Sequence, residues 1–104
     1  RHREAEPFLL GALESRRQAL GREHPSTLCI VNNLANLLCV TGRKDQAEPL
    51  LREALTGFRA KLGLNHPSTL SGLNNLAGLL CGRGELYEAE RLYREALEGR
   101  RLYP

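Results

Sequence analysis

Apolar residues recur along the chain at the spacing of an amphipathic helix, in blocks that end at glycine. The blocks over residues 27–41 and 44–62 both place apolar side chains three or four positions apart. Gly42 and Gly63 follow these blocks, as glycine often follows the last turn of a helix. The pattern predicts two helices, with apolar faces formed by Leu28, Val31, Leu34, Ala35 and Leu38 in the first and by Ala47, Leu50, Leu51, Ala54, Leu55 and Phe58 in the second.

The two-helix pattern repeats with a stride of 42 residues. The pentapeptide at residues 24–28 returns at residues 66–70, and 22 of 39 positions are identical between residues 24–62 and 66–104. A fixed period of this length is the signature of a repeat architecture. We therefore expect one repeat domain over residues 1–104, a segment of a longer array, with a half repeat at 4–21 and full repeats at 24–63 and 66–102.

The repeat defines the expected fold class. The half repeat predicts a single helix, from about Glu4 to Leu20, that ends at Gly21. Pro25 and Pro67 fit the first turn of a helix, where the missing N–H leaves no bond unmade. With two helices in each full repeat and no strand pattern, we expect five helices in an all-α stack of antiparallel helical hairpins.

Small and large apolar positions predict how the hairpins pack. Alanines mark the positions of closest approach between helices, and leucines fill the spaces between them, with Tyr93 at one of these positions. Leucine in place of Ala54 or Ala96 should overpack the contact and cost about 1–3 kcal/mol. Gly57 and Gly99 lie inside predicted helices, where each is expected to lower stability by up to ~1 kcal/mol relative to alanine. The two sets are Ala35, Ala47, Ala54, Ala77, Ala89 and Ala96, and Leu34, Leu38, Leu51, Leu76 and Leu80.

The composition is typical of a globular domain, with 41% hydrophobic residues, 26% charged residues and a net charge of +3. The 15 basic and 12 acidic residues are interspersed, whereas a nucleic-acid-binding protein clusters its basic residues on one face. No apolar run approaches the roughly 20 residues of a transmembrane helix. The three cysteines lack metal-ligand spacing, and Cys29 and Cys39 on one helix would lie about 15 Å apart. We expect reduced thiols in an intracellular compartment, either the cytoplasm or an organelle lumen.

The repeat motifs resemble the tetratricopeptide repeat, in the 42-residue variety found in kinesin light chains. The resemblance spans Glu4 to Arg101 and is carried by His-Pro-Ser-Thr at 66–69, Leu-Asn-Asn-Leu-Ala at 73–77, Gly84, and residues 89–97. It implies a right-handed superhelix whose concave wall is lined by the first helix of each repeat. Peptide or protein ligands commonly lie along that wall in the family.

Carried over by motif position, the resemblance implies a particular set of peptide-binding residues. Asparagine suits such a wall, because its amide both donates to and accepts from a peptide backbone. No lysine or arginine occupies the wall, which argues against the carboxylate clamp of the chaperone-binding members. The wall would consist of Cys29, Asn32, Asn36 and Cys39 from one repeat and Ser71, Asn74, Gly78 and Cys81 from the next.

The asparagines have a second interpretation. Asn32 and Asn74 could be solvated residues that repeat duplication has retained, rather than a ladder that grips a ligand. The change from Asn36 to Gly78 interrupts such a ladder. Asn33 and Asn75 are expected to bond within the hairpin and not to contact a ligand.

The histidines and cysteines do not form a catalytic pattern. His24 and His66 precede first-turn prolines at equivalent positions, so we interpret them as part of the architecture and not as metal ligands or bases. Cys39 and Cys81 lie at the other end of the first helix, roughly 20 Å away, which is too far for a nucleophile and its base. We expect these cysteines to be small apolar fillers of the wall. We expect no catalytic residue, no metal site and no cofactor, and hence no enzyme.

Six arginines gather near the ends of the second helices. Positive charge there complements the helix dipole, and a surface for an acidic partner is the alternative. These arginines are Arg16, Arg17, Arg22, Arg59, Arg100 and Arg101.

The sequence as a whole predicts a protein–protein interaction module that binds an extended peptide or a partner helix on its concave face. The alternative is a scaffold subunit, docked permanently in a larger assembly or stacked with copies of itself through its uncapped ends. The expected partner is a protein or peptide, without nucleic acid and without membrane insertion.

Overall fold

The computed structural model describes residues 2–102, with side chains described over residues 4–101. The described part contains five helices and no strand, which confirms the predicted all-α fold. The helix over residues 44–62 has the predicted bounds, whereas the first two helices begin about two residues earlier than their apolar patterns suggest. The helices are α1 (His2–Leu20), α2 (Pro25–Val40), α3 (Lys44–Leu62), α4 (Pro67–Gly82) and α5 (Leu86–Leu102).

Histidine, proline and glycine set the ends of the helices. His24 is the N-cap of α2, and its Nδ1 atom accepts a hydrogen bond from the backbone N–H of Ser26 at 3.0 Å. His66 caps α4 in the same way through Ser68. These bonds satisfy N–H groups that a helix leaves unpaired at its start, so the architectural interpretation of both histidines is confirmed. The turns use the left-handed backbone that favours glycine, with φ between 81° and 93° at Gly21, Gly42, Gly63 and Gly84.

The core lies between helices that follow one another along the chain. The six alanines predicted at close approaches are all buried, with 0–3% of their surface exposed. The five predicted leucines are 0–4% exposed. Each hairpin therefore buries its apolar face against the next one, as expected for a stack in which no hairpin has a core of its own.

Tyr93 does not fill the core as predicted. Its side chain is 44% exposed, whereas Leu51, one stride earlier, is fully buried. Leu55, one turn after Leu51 on α3, lies against α4, where its Cδ1 atom is 3.5 Å from the position of a Cβ atom at Gly72. Among the described residues no helix covers the corresponding face of α5, so the same sequence position is exposed there.

The packing around Gly57 and Gly99 opposes the prediction that alanine would be more stable at these positions. A Cβ atom at Gly57 would lie 2.2 Å from Cδ1 of Leu28, and a Cβ atom at Gly99 would lie 2.6 Å from Cδ2 of Leu70. Carbon atoms in contact normally lie about 3.5–4.0 Å apart. Glycine at these positions therefore lets the two helices of each hairpin approach closely around a buried leucine.

The helices form two layers that differ in spacing. In one layer α2 and α4 contact each other directly. In the other layer, the described residues of α1, α3 and α5 make no backbone contact between helices, and long side chains bridge the gaps. A stack that is closer on one side curves toward that side. The exposed faces of α2 and α4 therefore lie on the inside of the curve.

Candidate functional site

The sequence-predicted wall residues lie on the two helices at the inside of the curve. On α2, Cys29 is exposed, Asn36 and Cys39 are half-buried, and Asn32 is buried. The residues on α4 are more accessible: Ser71, Gly78 and Cys81 are exposed, and Asn74 is half-buried. Because α2 and α4 are in contact, the fold brings both sets to one surface, which we call the inner wall.

Asn32 is the least accessible member of this set. Its side chain is 8% exposed, and its Oδ1 atom is enclosed without a hydrogen-bond partner among the described residues. A buried acceptor without a partner costs about 1–3 kcal/mol. In the present rotamer, the Oδ1 atom of Asn32 is not accessible to a ligand.

The inner wall includes two residues of α2 that the sequence analysis did not assign to it. Asn33, which was expected to bond within the hairpin, is exposed. Val40, in the last turn of α2, is 67% exposed. Together with Cys29 and Asn36 they follow the spacing of one helix face, which is the pattern that could have identified them.

Gly78 and Tyr93 occupy positions that have changed together between the two repeats. In the first repeat the pair is Asn36 and Leu51, and in the second it is Gly78 and Tyr93. The Tyr93 hydroxyl lies 3.7 Å from the position that a Cβ atom at residue 78 would occupy. A Cβ atom at residue 78 would therefore be in van der Waals contact with the tyrosine hydroxyl, and a longer side chain there would lie beside it.

Lys44 brings a positive charge to one end of the inner wall. Its Nζ atom lies 3.1 Å from where a Cβ atom at Gly82 would be, in the last turn of α4. Burial raises the pKa of the Cys39 thiol, and the charge of Lys44 opposes this shift. The thiol is therefore protonated at neutral pH and is a poor nucleophile. Lys44 was not predicted to lie at the wall, because it begins the next helix along the chain.

Arginine–glutamate pairs bridge the helices of the outer layer. Arg52 donates two hydrogen bonds to Glu88, at 3.0 and 3.1 Å, and Arg59 donates two to Glu95, at 2.6 and 3.1 Å. Arg17 makes the equivalent contact with Glu53 one stride earlier, at 3.7 Å. Part of the arginine cluster predicted at the helix ends is thus engaged between repeats, which the dipole explanation did not anticipate.

The pairing of Arg52 with Glu88 shifts the pKa values of both partners. The hydrogen bond to Glu88 raises the pKa of Arg52 above its ordinary value, and the hydrogen bond from Arg52 lowers the pKa of the Glu88 carboxyl. Both groups are charged at neutral pH. The pair therefore stabilises the spacing between α3 and α5 and does not supply a proton donor or acceptor.

Residues 4–101 contain no group of three or more histidine, cysteine or acidic side chains placed to hold a metal ion. No helix in this part of the chain combines the length and the apolar character needed to cross a membrane.

Comparison with known protein families agrees with the repeat geometry. Sequence profiles of the tetratricopeptide repeat match residues 1–60 and 26–102, so the two matches together cover nearly the whole chain. No curated protein sequence gives a significant match. Repeats of this kind generally mediate protein–protein interaction. On the strength of the profile matches and the five-helix stack, the chain belongs to the tetratricopeptide repeat family.

Proposed function

We propose that the inner wall binds an extended peptide or a helix of a partner protein. The observation that carries this proposal is the contrast between the two layers. The inner wall presents uncharged polar and small side chains with unused hydrogen-bonding capacity, such as Asn33 and Ser71. In the outer layer, the arginines that bridge the helices are occupied by glutamates.

The chemistry of the wall favours a particular kind of ligand. Asparagine amides and a serine hydroxyl can bond to peptide N–H and C=O groups without requiring a charged side chain. Cys29, Val40 and Cys81 add apolar contact area. Lys44 would suit a carboxylate at one end of the ligand.

A matched pair of substitutions tests this proposal. Peptides of about twelve residues are first selected from a display library on the full chain, and their affinities are measured by titration. Ser71→Arg places a bulky charge on the inner wall, and Thr56→Arg makes the same change at an exposed position of the outer layer. We expect Ser71→Arg to weaken binding at least tenfold, equivalent to about 1.4 kcal/mol, and Thr56→Arg to change it less than twofold.

The opposite ranking would refute the inner wall as the binding surface. A library that yields no binder after exhaustive selection would also count against it. Circular dichroism of both variants must show unchanged helix content, so that a loss of binding is not a loss of fold.

A second role, as a scaffold segment in a larger or self-stacked assembly, is favoured by exposed apolar side chains at both ends of the stack. Phe8 on α1 is 76% exposed and Leu97 on α5 is 62% exposed.

The three cysteines are unpaired, which suits a reducing intracellular compartment. Sedimentation equilibrium at increasing concentration tests self-stacking, since the average mass should rise with concentration. A constant monomer mass would exclude it.

A further inference from the structure

A cavity opens on the outer side of the stack, between the turn that joins α1 to α2 and helix α3. Its volume is about 530 Å³, within the range of about 300–1,000 Å³ that is typical of ligand sites. Most of its accessible lining is apolar, from residues that include Pro49, Gly57 and Ala60 of α3. Both walls are described parts of the chain, so the shape of the cavity follows from the packing of the first three helices.

A second cavity adjoins the first at the end of α1. It has a volume of about 510 Å³, and its lining includes Leu20 and Pro25. Three charged residues, Arg22, Glu23 and Lys61, line both cavities and therefore stand at their junction. We call the two cavities with this charged junction the outer cleft.

The cations at the junction are only partly neutralised. The Oε2 atom of Glu53 lies 3.7 Å from a guanidinium nitrogen of Arg17 and 3.8 Å from one of Arg22. Both distances exceed that of a hydrogen bond, and one carboxylate balances only one of the two guanidinium charges. The side chain of Arg22 is 67% exposed and Lys61 is exposed as well, so both cations are accessible to a ligand.

The two cations of the outer cleft do not recur one stride later. Leu64 and Tyr103 stand at the positions that correspond to Arg22 and Lys61. Residues that the packing of each hairpin requires, such as the buried alanines, are present in both full repeats. The repeat fold therefore does not require these cations, and they distinguish the outer cleft from the groove between α3 and α5.

The remaining features of the outer cleft favour a peptide over a small organic acid. The exposed carboxylate of Glu23 stands beside the cations and would repel an acid that has no hydrogen-bond donor. A peptide can offer a backbone N–H to Glu23 and a side-chain carboxylate to Arg22 and Lys61. Apolar lining on both sides of the junction also calls for apolar groups on both sides of the ligand's carboxylate, which an acid with a terminal carboxylate lacks.

We propose that the outer cleft binds an extended segment of a partner protein in which an acidic residue stands between two apolar residues. In an extended chain, side chains two positions apart point to the same side and lie about 7 Å apart. The acidic side chain would lie between Arg22 and Lys61, and the apolar side chains two positions before and after it would enter the two cavities. The outer cleft and the inner wall are separate surfaces, so failure of one as a binding site leaves the other standing.

A synthetic peptide of this pattern, acetyl-Gly-Leu-Ser-Glu-Ser-Leu-Gly-amide, is the probe for the test. It is titrated into the isotope-labelled full chain, and the backbone amide signals are followed by nuclear magnetic resonance. We expect saturable shifts at residues 21–24 and 57–61, with little change over residues 71–81 of the inner wall. A second peptide with glutamine in place of the glutamate should bind about fivefold more weakly, because its central side chain forms no ion pair.

Neutral substitutions on the protein test the two cations. Arg22→Gln with Lys61→Gln should weaken binding of the glutamate peptide about fivefold and leave binding of the glutamine peptide unchanged. Arg94→Gln with Arg100→Gln is the matched control, since it removes the same net charge from exposed positions on α5, and it should change the affinity less than twofold. Arg22→Lys with Lys61→Arg keeps both charges and should retain most of the affinity. Circular dichroism must show unchanged helix content for every variant.

Several results would overturn the inference. Equal weakening by the first double variant and its α5 control would show that the peptide responds to total charge and not to the outer cleft. Equal affinity of the glutamate and glutamine peptides would remove the acidic residue from the recognised pattern. Octanoate that displaces the glutamate peptide at an equal concentration would make a small organic acid the occupant. Shifts confined to the inner wall, or no saturable binding at millimolar peptide, would exclude the outer cleft as a peptide site.

Discussion

Alanine in place of Gly57 should destabilise the protein, although alanine is the better helix former. Gly57 lies inside α3, where a Cβ atom would be 2.2 Å from Cδ1 of Leu28 and 3.3 Å from its Cγ and Cδ2 atoms. Leu28 is only 1% exposed, and its terminal methyl group would have to move aside to make room for the new Cβ atom. The substitution therefore sets a gain in helix propensity against a collision inside the core.

The structure allows the two contributions to be compared. Replacing glycine by alanine inside a helix gains up to ~1 kcal/mol. Overpacking a filled core costs typically about 1–3 kcal/mol. The collision is the larger effect, and we expect Gly57→Ala to lower the free energy of unfolding by about 1 kcal/mol, with an upper limit of about 2 kcal/mol.

Gly11 provides the matched control. It also lies inside a helix, but a Cβ atom there would meet nothing within 4 Å. Gly11→Ala should therefore raise the free energy of unfolding by about 0.5–1 kcal/mol, since only the propensity gain remains. The same chemical change is expected to have opposite signs at the two positions.

Denaturant unfolding of the two variants, followed by circular dichroism, measures both effects. Leu28→Val shortens the side chain that the new methyl group would strike. In that background Gly57→Ala should no longer destabilise, which corresponds to a coupling of about 1–2 kcal/mol between the two positions. If Gly57→Ala stabilises the protein as much as Gly11→Ala does, the close approach of α2 and α3 described above is wrong.

Three further predictions concern charge, polarity and exposure. Because the pKa of Glu88 is lowered in the folded protein, its ion pair stabilises the fold above pH about 4.5, and this contribution is lost as the pH falls through the lowered value. The Glu88→Gln variant should therefore lose less stability than the original chain between pH 7 and pH 3. We expect a difference of roughly 0.5–1 kcal/mol in denaturant titrations at the two pH values. Asn32→Leu should stabilise by about 1 kcal/mol by removing an unpaired buried oxygen, whereas Asn33→Leu at an exposed position should change stability by less than about 0.5 kcal/mol; equal effects would contradict the assigned burial. Leu55→Ala should cost about 2–5 kcal/mol and Leu97→Ala less than about 1 kcal/mol. A similar cost at both positions would show that the side of α5 that carries Leu97 is covered in solution.

Local patterns were sufficient to predict the helices and most of their packing residues. Helix α3 has its predicted bounds. Gly42 lies in the turn before the helix, Gly63 follows its last residue, and the apolar spacing between these two glycines is unbroken. The alanines at close approaches were recognisable because small residues recur at fixed positions among leucines. Both features depend on near neighbours in the sequence, which a repeat displays more than once.

Contacts between distant segments could not be read from the same patterns. The role of Gly57 depends on Leu28, which lies on another helix and fills the space beside it. The pairing of Arg52 with Glu88 joins residues 36 positions apart, and helical periodicity contains no information about that distance. The exposure of Tyr93 depends on the absence of a covering helix among the described residues and not on its own sequence environment.

The inner wall was predicted in outline but not residue by residue. Asn32 and Asn33 are adjacent in sequence and point about 100° apart on the helix, so a small error in the orientation of α2 exchanges them. Family position favoured Asn32, whereas exposure favours Asn33 as the more accessible amide. A buried asparagine that costs stability is expected where the residue serves ligand binding. The Asn32→Leu variant tests this interpretation, because it should then raise stability and lower the affinity for the peptide.

The most direct test of the account is nuclear magnetic resonance mapping of a selected peptide on the labelled full chain. We predict that the largest shifts of backbone amide signals occur on α2 and α4, at Cys29, Asn33, Asn36, Ser71 and Asn74, with little change in α1 and α3. Shifts confined to the outer layer or to α5, at saturating peptide, would contradict the assignment of the inner wall as the binding surface.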